Sequence, residues 1–185
     1  MIKFRTERLI LREWHNSDYP IFARINADPD VMRYFPAILS EEESNANADI
    51  ISALIEKRNW GFWAVEIPDI APFIGFVGLH VPSVTLPFSP CVEIGWRLDK
   101  KFWGYGYATE AANFALKYGF VELNLGEIVS FTSEKNIPSQ AVMNRLGMRF
   151  DDDGFEHPSV PVGSPLRKHV LYRISQEDWR TGLDS

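Results

Sequence analysis

The sequence predicts a mixed α/β fold with a largely antiparallel sheet and one right-handed crossover. Three observations carry this expectation. Strand-like and helix-like runs follow one another in the order β-α-α-β-β-β-α-β-α-β-β. Three strands come in succession over 60–67, 73–81 and 91–98, joined by a proline-marked turn and a proline-rich loop, as antiparallel neighbours are. The last of them then runs through a glycine loop and a helix into another strand, the arrangement a parallel crossover needs.

Each element has its own justification. "RLILR" (8–12) alternates as a first strand does, and "NSDYPIFARINA" (16–27) opens with helix-capping residue types. "SEEESNANADIISALIEKR" (40–58) begins with a capping box of Ser40 and Glu43, and its spacing predicts a face of Ala46, Ile50, Ala53 and Leu54. "WGFWAVEI" (60–67) and "FIGFVGLHV" (73–81) are aromatic and β-branched and read as a hairpin, followed by the loop "PSVTLPFSP" (82–90). "CVEIGWRL" (91–98) is the fourth strand and "EIVSFT" (127–132) the fifth, with the helix "ATEAANFALKYGFV" (108–121) between them. A short helix (136–147) ends at Gly147, 148–155 leads into a strand or turn, and "KHVLYRI" (168–174) is the last strand.

Composition narrows the function. The chain has 185 residues, 45% hydrophobic and 14% aromatic, which suits one domain spanning 1–185 with its own core. No apolar run approaches the ~20 residues of a membrane span, and the N-terminus mixes charges into its apolar residues, unlike a signal peptide. The formal charge of −6, with no Lys/Arg-rich block, argues against nucleic acid as a partner. A single cysteine fits a reducing compartment, so the expected location is the cytoplasm. The four histidines lack ligand spacing, and no metal is expected. Whether the chain is a monomer or a homodimer is left open.

The stretch "KKFWGYGYATEA" (100–111) carries the chemistry. A loop entering a helix N-terminus presents unpaired amides at the positive end of the helix dipole, a natural seat for phosphate. Gly104 and Gly106 remove the Cβ that would stop successive amides turning toward one anion. The plainer reading is a tight turn capped by glycine. The loop is neither GxGxxG, since Thr109 stands where a small residue is needed, nor GxxxxGK[ST]. Behind it, Ala108, Ala111, Ala112, Ala115 and Gly119 form a stripe of small residues that lets the helix approach a sheet or a cofactor closely, although alanine is also simply the best helix former.

"KFWGYG" (101–106) resembles the [Q/R]-x-x-G-x-[G/A] pyrophosphate loop of the GNAT superfamily of N-acetyltransferases. "TERLILR" (6–12), "EIGWRLDKKFWGYGYATEA" (93–111) and "NIPSQAVMNRLGM" (136–148), in the same order, resemble its RimJ/RimL-type branch of ribosomal-protein Nα-acetyltransferases. The resemblance implies a twisted, mostly antiparallel sheet with helices on both faces and a splay between the fourth and fifth strands. It further implies acetyl-CoA as donor and a primary amine as acceptor. Pantetheine would pair with the backbone of Trp96, Arg97 and Leu98, and the pyrophosphate with that of Lys101, Phe102, Trp103, Gly104, Tyr105 and Gly106. A bulge at Gly95 is expected to open the splay. By branch, a protein or peptide N-terminus is preferred over a small amine such as an antibiotic, polyamine or amino acid.

Two departures matter. Lys101 replaces the usual Arg or Gln, and Met143 stands where many members carry a tyrosine general acid, which keeps open a module that holds CoA without turnover. Ser139 is then the candidate acid for the departing thiolate, with Asn136 one turn earlier against CoA; helix capping is the structural reading of both. For a base, Glu93 is the first choice and Glu66 the second, with an ion pair to Arg97 the structural alternative for Glu93. Cys91 reads as a packed core thiol rather than an acyl carrier. Trp60, Phe62, Trp63, Phe73 and Phe76 read most simply as hairpin core, and some of them, together with "RYFP" (33–36), are candidates to wall the acceptor pocket.

Overall fold

The computed structural model describes residues 3–183. One eight-stranded sheet runs in the order β1-β2-β3-β4-β5-β6-β8-β7. Its strands are β1 (Lys3–Arg5), β2 (Ile10–Arg12), β3 (Phe62–Ile67), β4 (Ala71–His80), β5 (Glu93–Leu98), β6 (Glu127–Ser133), β7 (Arg149–Glu156) and β8 (Lys168–Ser175). The helices are α1 (Tyr19–Ala27), α2 (Glu41–Arg58), α3 (Tyr107–Val121), α4 (Ile137–Arg145) and α5 (Gln176–Leu183). All neighbouring pairs are antiparallel except β5 and β6, which α3 joins in parallel.

Two elements escaped the sequence. The β1 strand is too short to alternate, and α5 lies in a polar segment whose helical pattern is brief. A second crossover was also missed: β6, α4 and β7 skip one strand, and β8 fills the space between. The α2 face predicted from Ile50 is turned outward, with Ile50 58% exposed; Ser44, Ala48 and Ile55 are buried instead. There the Ser44 hydroxyl accepts from the Asn26 amide at 2.8 Å, a buried polar pair that hydrophobic periodicity does not register.

The core lies on both faces of the sheet. On one, Trp63, Val65, Val77, Leu79, Ile94 and Leu98 pack against the small-residue stripe of α3, with Ala111, Ala112 and Ala115 fully buried. A Cβ at Gly119 would fall 2.7 Å from Ile128 Cδ1, so the stripe buys close approach. On the other, Ala64, Phe73 and Phe76 meet Phe22, Ile25 and Ala48 from α1 and α2. The arrangement leaves β5 central, with α3 behind it and the α1–α2 unit in front.

The predicted bulge at Gly95 is not there. The register of β5 on β4 runs unbroken from Glu93 opposite His80 to Leu98 opposite Gly75. Gly95 instead lies under the Phe62 ring, where a Cβ would stand 3.2 Å from Phe62 Cε1. The register shift falls instead between β3 and β4, between the pairings Val65–Gly75 and Ile67–Ala71. Gly75 has φ +129°, and its Cβ would come 2.1 Å from the Arg97 carbonyl, so only glycine fits.

Candidate functional site

The two central strands part. β5 and β6 share a single bridge, Glu93 with Val129, where the Val129 amide donates to the Val92 carbonyl at 3.0 Å. One step further, a side chain replaces the ladder: the Ser130 hydroxyl donates to the Ile94 carbonyl at 2.9 Å. Beyond Ile94 no pairing joins the strands.

Strand geometry decides which β5 groups face that gap. Each residue of an antiparallel strand directs its N–H and C=O to the same side, and the side alternates. Val92 and Ile94 point their carbonyls to β6, so Trp96 and Leu98 do too. The Leu98 carbonyl is taken by the Trp103 indole N–H at 2.9 Å. Arg97 faces the other way, its carbonyl against Gly75 of β4. The expectation that the Arg97 backbone pairs with pantetheine is corrected on this ground; among the described residues, both backbone groups of Trp96 and the N–H of Leu98 face the gap with no protein partner.

At the end of β5 the glycine loop shows a similar division. Asp99 holds the Lys101 amide through its side chain at 3.0 Å and the Phe102 amide through its carbonyl at 2.9 Å, while Trp103 N–H donates to the Lys100 carbonyl at 3.2 Å. Those three amides are occupied, which corrects the expectation for Lys101, Phe102 and Trp103. Among the described residues no amide from Gly104 to Thr109 has a protein acceptor, and the first helical bond is Glu110 N–H to the Gly106 carbonyl at 2.9 Å. The free run therefore begins three residues later than expected and extends into the first turn of α3, where the orphan N–H groups of any helix lie. Gly104 and Gly106 both have positive φ, +81° and +82°.

Arg8 braces this loop, a role the sequence did not suggest although "TERLILR" was singled out. Its Nη1 donates to the Tyr105 carbonyl at 2.9 Å, and its Nε donates to Glu110 at 2.7 Å. Glu110 also accepts from the Arg8 amide and from the Thr6 hydroxyl, at 2.7 and 2.6 Å. The turn before β2 is thereby tied to the N-terminus of α3. The signal was the motif itself, an Arg and a Thr beside a strand, but nothing local names a partner in a helix so distant in sequence.

Asn136 is the N-cap of α4: its Oδ1 accepts from the Ser139 amide at 3.2 Å, and its Nδ2 donates to the Thr132 hydroxyl at 2.9 Å. The capping reading thus describes its side chain. The Ser139 hydroxyl makes no hydrogen bond among the described residues, and it shares a helix face with Met143, which is 1% exposed in the core. Glu66 accepts from Arg12 Nε at 2.9 Å within a network that also holds Asp18, so it is an ion-pair partner. Glu93 has no ion pair and no side-chain hydrogen bond among the described residues. Burial alone pushes its carboxyl up to about 8.

Glu93, Gly95 and Arg97 occupy the β5 face that meets Phe62, Phe76 and Phe35. Phe62 stacks on His80 at 5.1 Å between centroids, and His80 lies opposite Glu93 in the ladder. Burial pushes the His80 pKa down. A surface cavity of about 450 Å³ is lined by residues of β6, β7 and β8 such as Glu127, Asp151 and Arg173, and by none of these groups. Among the described residues no cluster of three or more His, Cys, Asp or Glu is placed to hold a metal, and no helix is long and apolar enough to cross a membrane.

Comparison with known proteins agrees with this architecture. Residues 8–149 match the family model described as an acetyltransferase (GNAT) domain. The uncharacterized N-acetyltransferase YnaD of Bacillus subtilis (strain 168) is 31% identical over 175 residues, covering 94% of this chain and 97% of its own. The [Ribosomal protein uS5]-alanine N-acetyltransferase of Escherichia coli (strain K12) is 24% identical, covering 98% of this chain and 94% of its own. Among solved structures, a GNAT-family acetyltransferase from Bacillus anthracis superposes with a TM-score of 0.77 at 28% identity, over 95% of this chain and 99% of that one.

Proposed function

Since the chain belongs to the GNAT acetyltransferase family, we propose that residues 1–185 act as one domain that passes the acetyl group of acetyl-CoA directly to a primary amine in a ternary complex. The acceptor we favour is the α-amino group of a protein or peptide, on the strength of the ribosomal-protein relative. One observation carries the reading: the run of partnerless amides from Gly104 to Thr109 opens beside the gap between β5 and β6. Those amides and the α3 dipole suit the diphosphate, and the gap suits pantetheine, with the Trp96 backbone as its ladder partner.

The chemistry then assigns roles. The amine nitrogen attacks the thioester carbonyl, the C–S bond breaks, and the amine gives up a proton. Glu93, through water, takes that proton; a carboxyl near 8 is well matched to the task around neutrality. The leaving thiolate is a base of pKa about 8.5, and the Ser139 hydroxyl, free of protein partners, is its proton donor or hydrogen-bond support. Met143 supplies nothing here, being buried in the core. Asn136 acts by capping α4 and so fixing where Ser139 stands.

The test is a screen of peptide N-termini and small amines with acetyl-CoA, with products identified by mass spectrometry. Acetylated peptides are the expected products. Acetylation confined to small amines refutes the favoured acceptor, and acetyl-CoA binding without any acetylated product refutes catalysis.

A further inference from the structure

Arg97 is a cation that the chemistry above leaves unused. Its Nη1 donates to Asn26 Oδ1 at 2.8 Å, and Asn26 is fully buried and fixed in turn by Ser44. Its guanidinium lies 4.3 Å from the Phe35 ring centroid and 5.6 Å from that of Phe76. Among the described residues no carboxylate answers it. Asp28 and Asp30 hold Lys100 at 2.9 and 3.0 Å, and Asp18 and Glu66 hold Arg12. Arg97 Nε is sealed from solvent without an acceptor, whereas Nη2 has no protein acceptor and keeps solvent access. Burial lowers its pKa to about 10, which still leaves a cation at neutral pH.

A half-buried guanidinium with its Nε–H sealed and unpaired and no counter-charge is costly, and a carboxylate is its natural complement in geometry and sign. It sits on the front face of β5, where α1 and the α1–α2 connection lie, while the diphosphate loop leads into α3 behind the sheet. The anion it awaits therefore comes with the acceptor. We propose that Arg97 binds a carboxylate carried by the acceptor, so that the amine is presented at Glu93 and the anion at Arg97. The proposal rests on the acetyl-transfer reading. Glu93 and Arg97 share one strand face about 13 Å apart along the backbone, at about 3.3 Å per residue. The Phe62 ring covers Gly95 between them. With the Arg97 side chain and a water at Glu93 taking up part of that separation, an acidic side chain at the second or third residue of a peptide bridges the rest; the adjacent amine and carboxylate of a free α-amino acid do not.

The experiment compares peptides that differ only by Glu or Gln at the second or third residue, together with free amino acids. Wild-type protein is expected to favour a Glu peptide in kcat/KM by roughly 10- to 100-fold, the range for a charged hydrogen bond. Arg97→Met is expected to erase that ratio and Arg97→Lys to restore part of it. Equal rates on Glu and Gln peptides, or an unchanged ratio in Arg97→Met, overturn the proposal. Free amino acids outrunning both peptides overturn its spacing. If Arg97→Met instead weakens acetyl-CoA binding and leaves the ratio alone, the guanidinium serves CoA and the proposal falls. Calorimetry of the N-acetylated Glu and Gln products, with CoA present, reads the same preference without turnover. A Glu preference there with no acetylation in the assay refutes the transfer reading and leaves the anion site standing.

Discussion

Replacing Glu93 by Gln tests the proposed base through two independent readouts. The side chain keeps its shape and loses its titration. An ordinary glutamate titrates at 4.5 and Glu93 at about 8. At about 1.4 kcal/mol per pH unit the interval is worth at most roughly 5 kcal/mol, and on the order of 2–5 kcal/mol once water penetration is allowed for. The sign follows from proton counting. Between these values the folded protein keeps a proton that the unfolded chain has released, so stability falls as pH rises from about 5 to 8. Denaturant unfolding across that interval is expected to show this decline in the wild type and a flatter profile in Glu93→Gln. The rate moves the other way, because the base must be deprotonated: kcat/KM rises through an apparent pKa of about 8 in the wild type. An α-amino acceptor titrates at about 7.7–8.0 and a lysine side chain at about 10.4, so comparing the two separates the enzyme's limb from the substrate's. In Glu93→Gln the enzyme's limb disappears and the rate falls by roughly 100-fold or more. The same limb and an undiminished rate in the variant would refute the assignment, and an unchanged stability slope would refute the burial argument beneath it.

Two further substitutions probe the donor side. Gly106→Val places a β-branched residue at φ +82°, and the loop must abandon that angle and turn its amides away. Calorimetry is expected to find no acetyl-CoA binding; undiminished affinity contradicts the phosphate role of the loop. Ser139→Ala is expected to lower turnover by about 10-fold or more with acetyl-CoA affinity nearly unchanged, and equal turnover removes Ser139 as the donor to the thiolate.

The parts of the fold that the sequence made legible are those where local pattern and tertiary burial agree. The Ala stripe of α3 is such a case: small residues at helical spacing lie against the sheet, and Gly119 shows why they must be small. The capping box of Ser40 and Glu43 is another, with both reciprocal hydrogen bonds present. Where packing is polar, the pattern misled. The inner face of α2 is chosen by the Ser44–Asn26 pair rather than by Ile50. The reason for a glycine was readable in the loop, where a backbone angle was expected, but not inside the strand. Gly104 and Gly106 serve a backbone angle, whereas Gly95 makes room for Phe62, and the register shift lies on the neighbouring strand between Ala71 and Gly75. Those distinctions depend on what lies opposite each glycine.

The candidate site divides in the same way. Its position, between a glycine loop and two central strands, was available from motif order. Which amides are free was not, because that depends on the Asp99 side chain and on the turn at Lys100–Phe102. The orientation of Arg97 follows from strand parity, but only once the pairing of β5 with β4 fixes which side is which. Arg8 and Glu110, far apart in sequence, meet only in the folded chain.

The most direct measurement of the central claim is titration of acetyl-CoA into isotope-labelled protein, following backbone amide resonances. The amides from Gly104 to Thr109 are expected to show the largest shifts and the greatest gain in exchange protection, with Lys101 to Trp103 changing less. Should the ligand bind while Gly104 to Thr109 remain unperturbed, the diphosphate is held elsewhere and the account built on that loop is wrong.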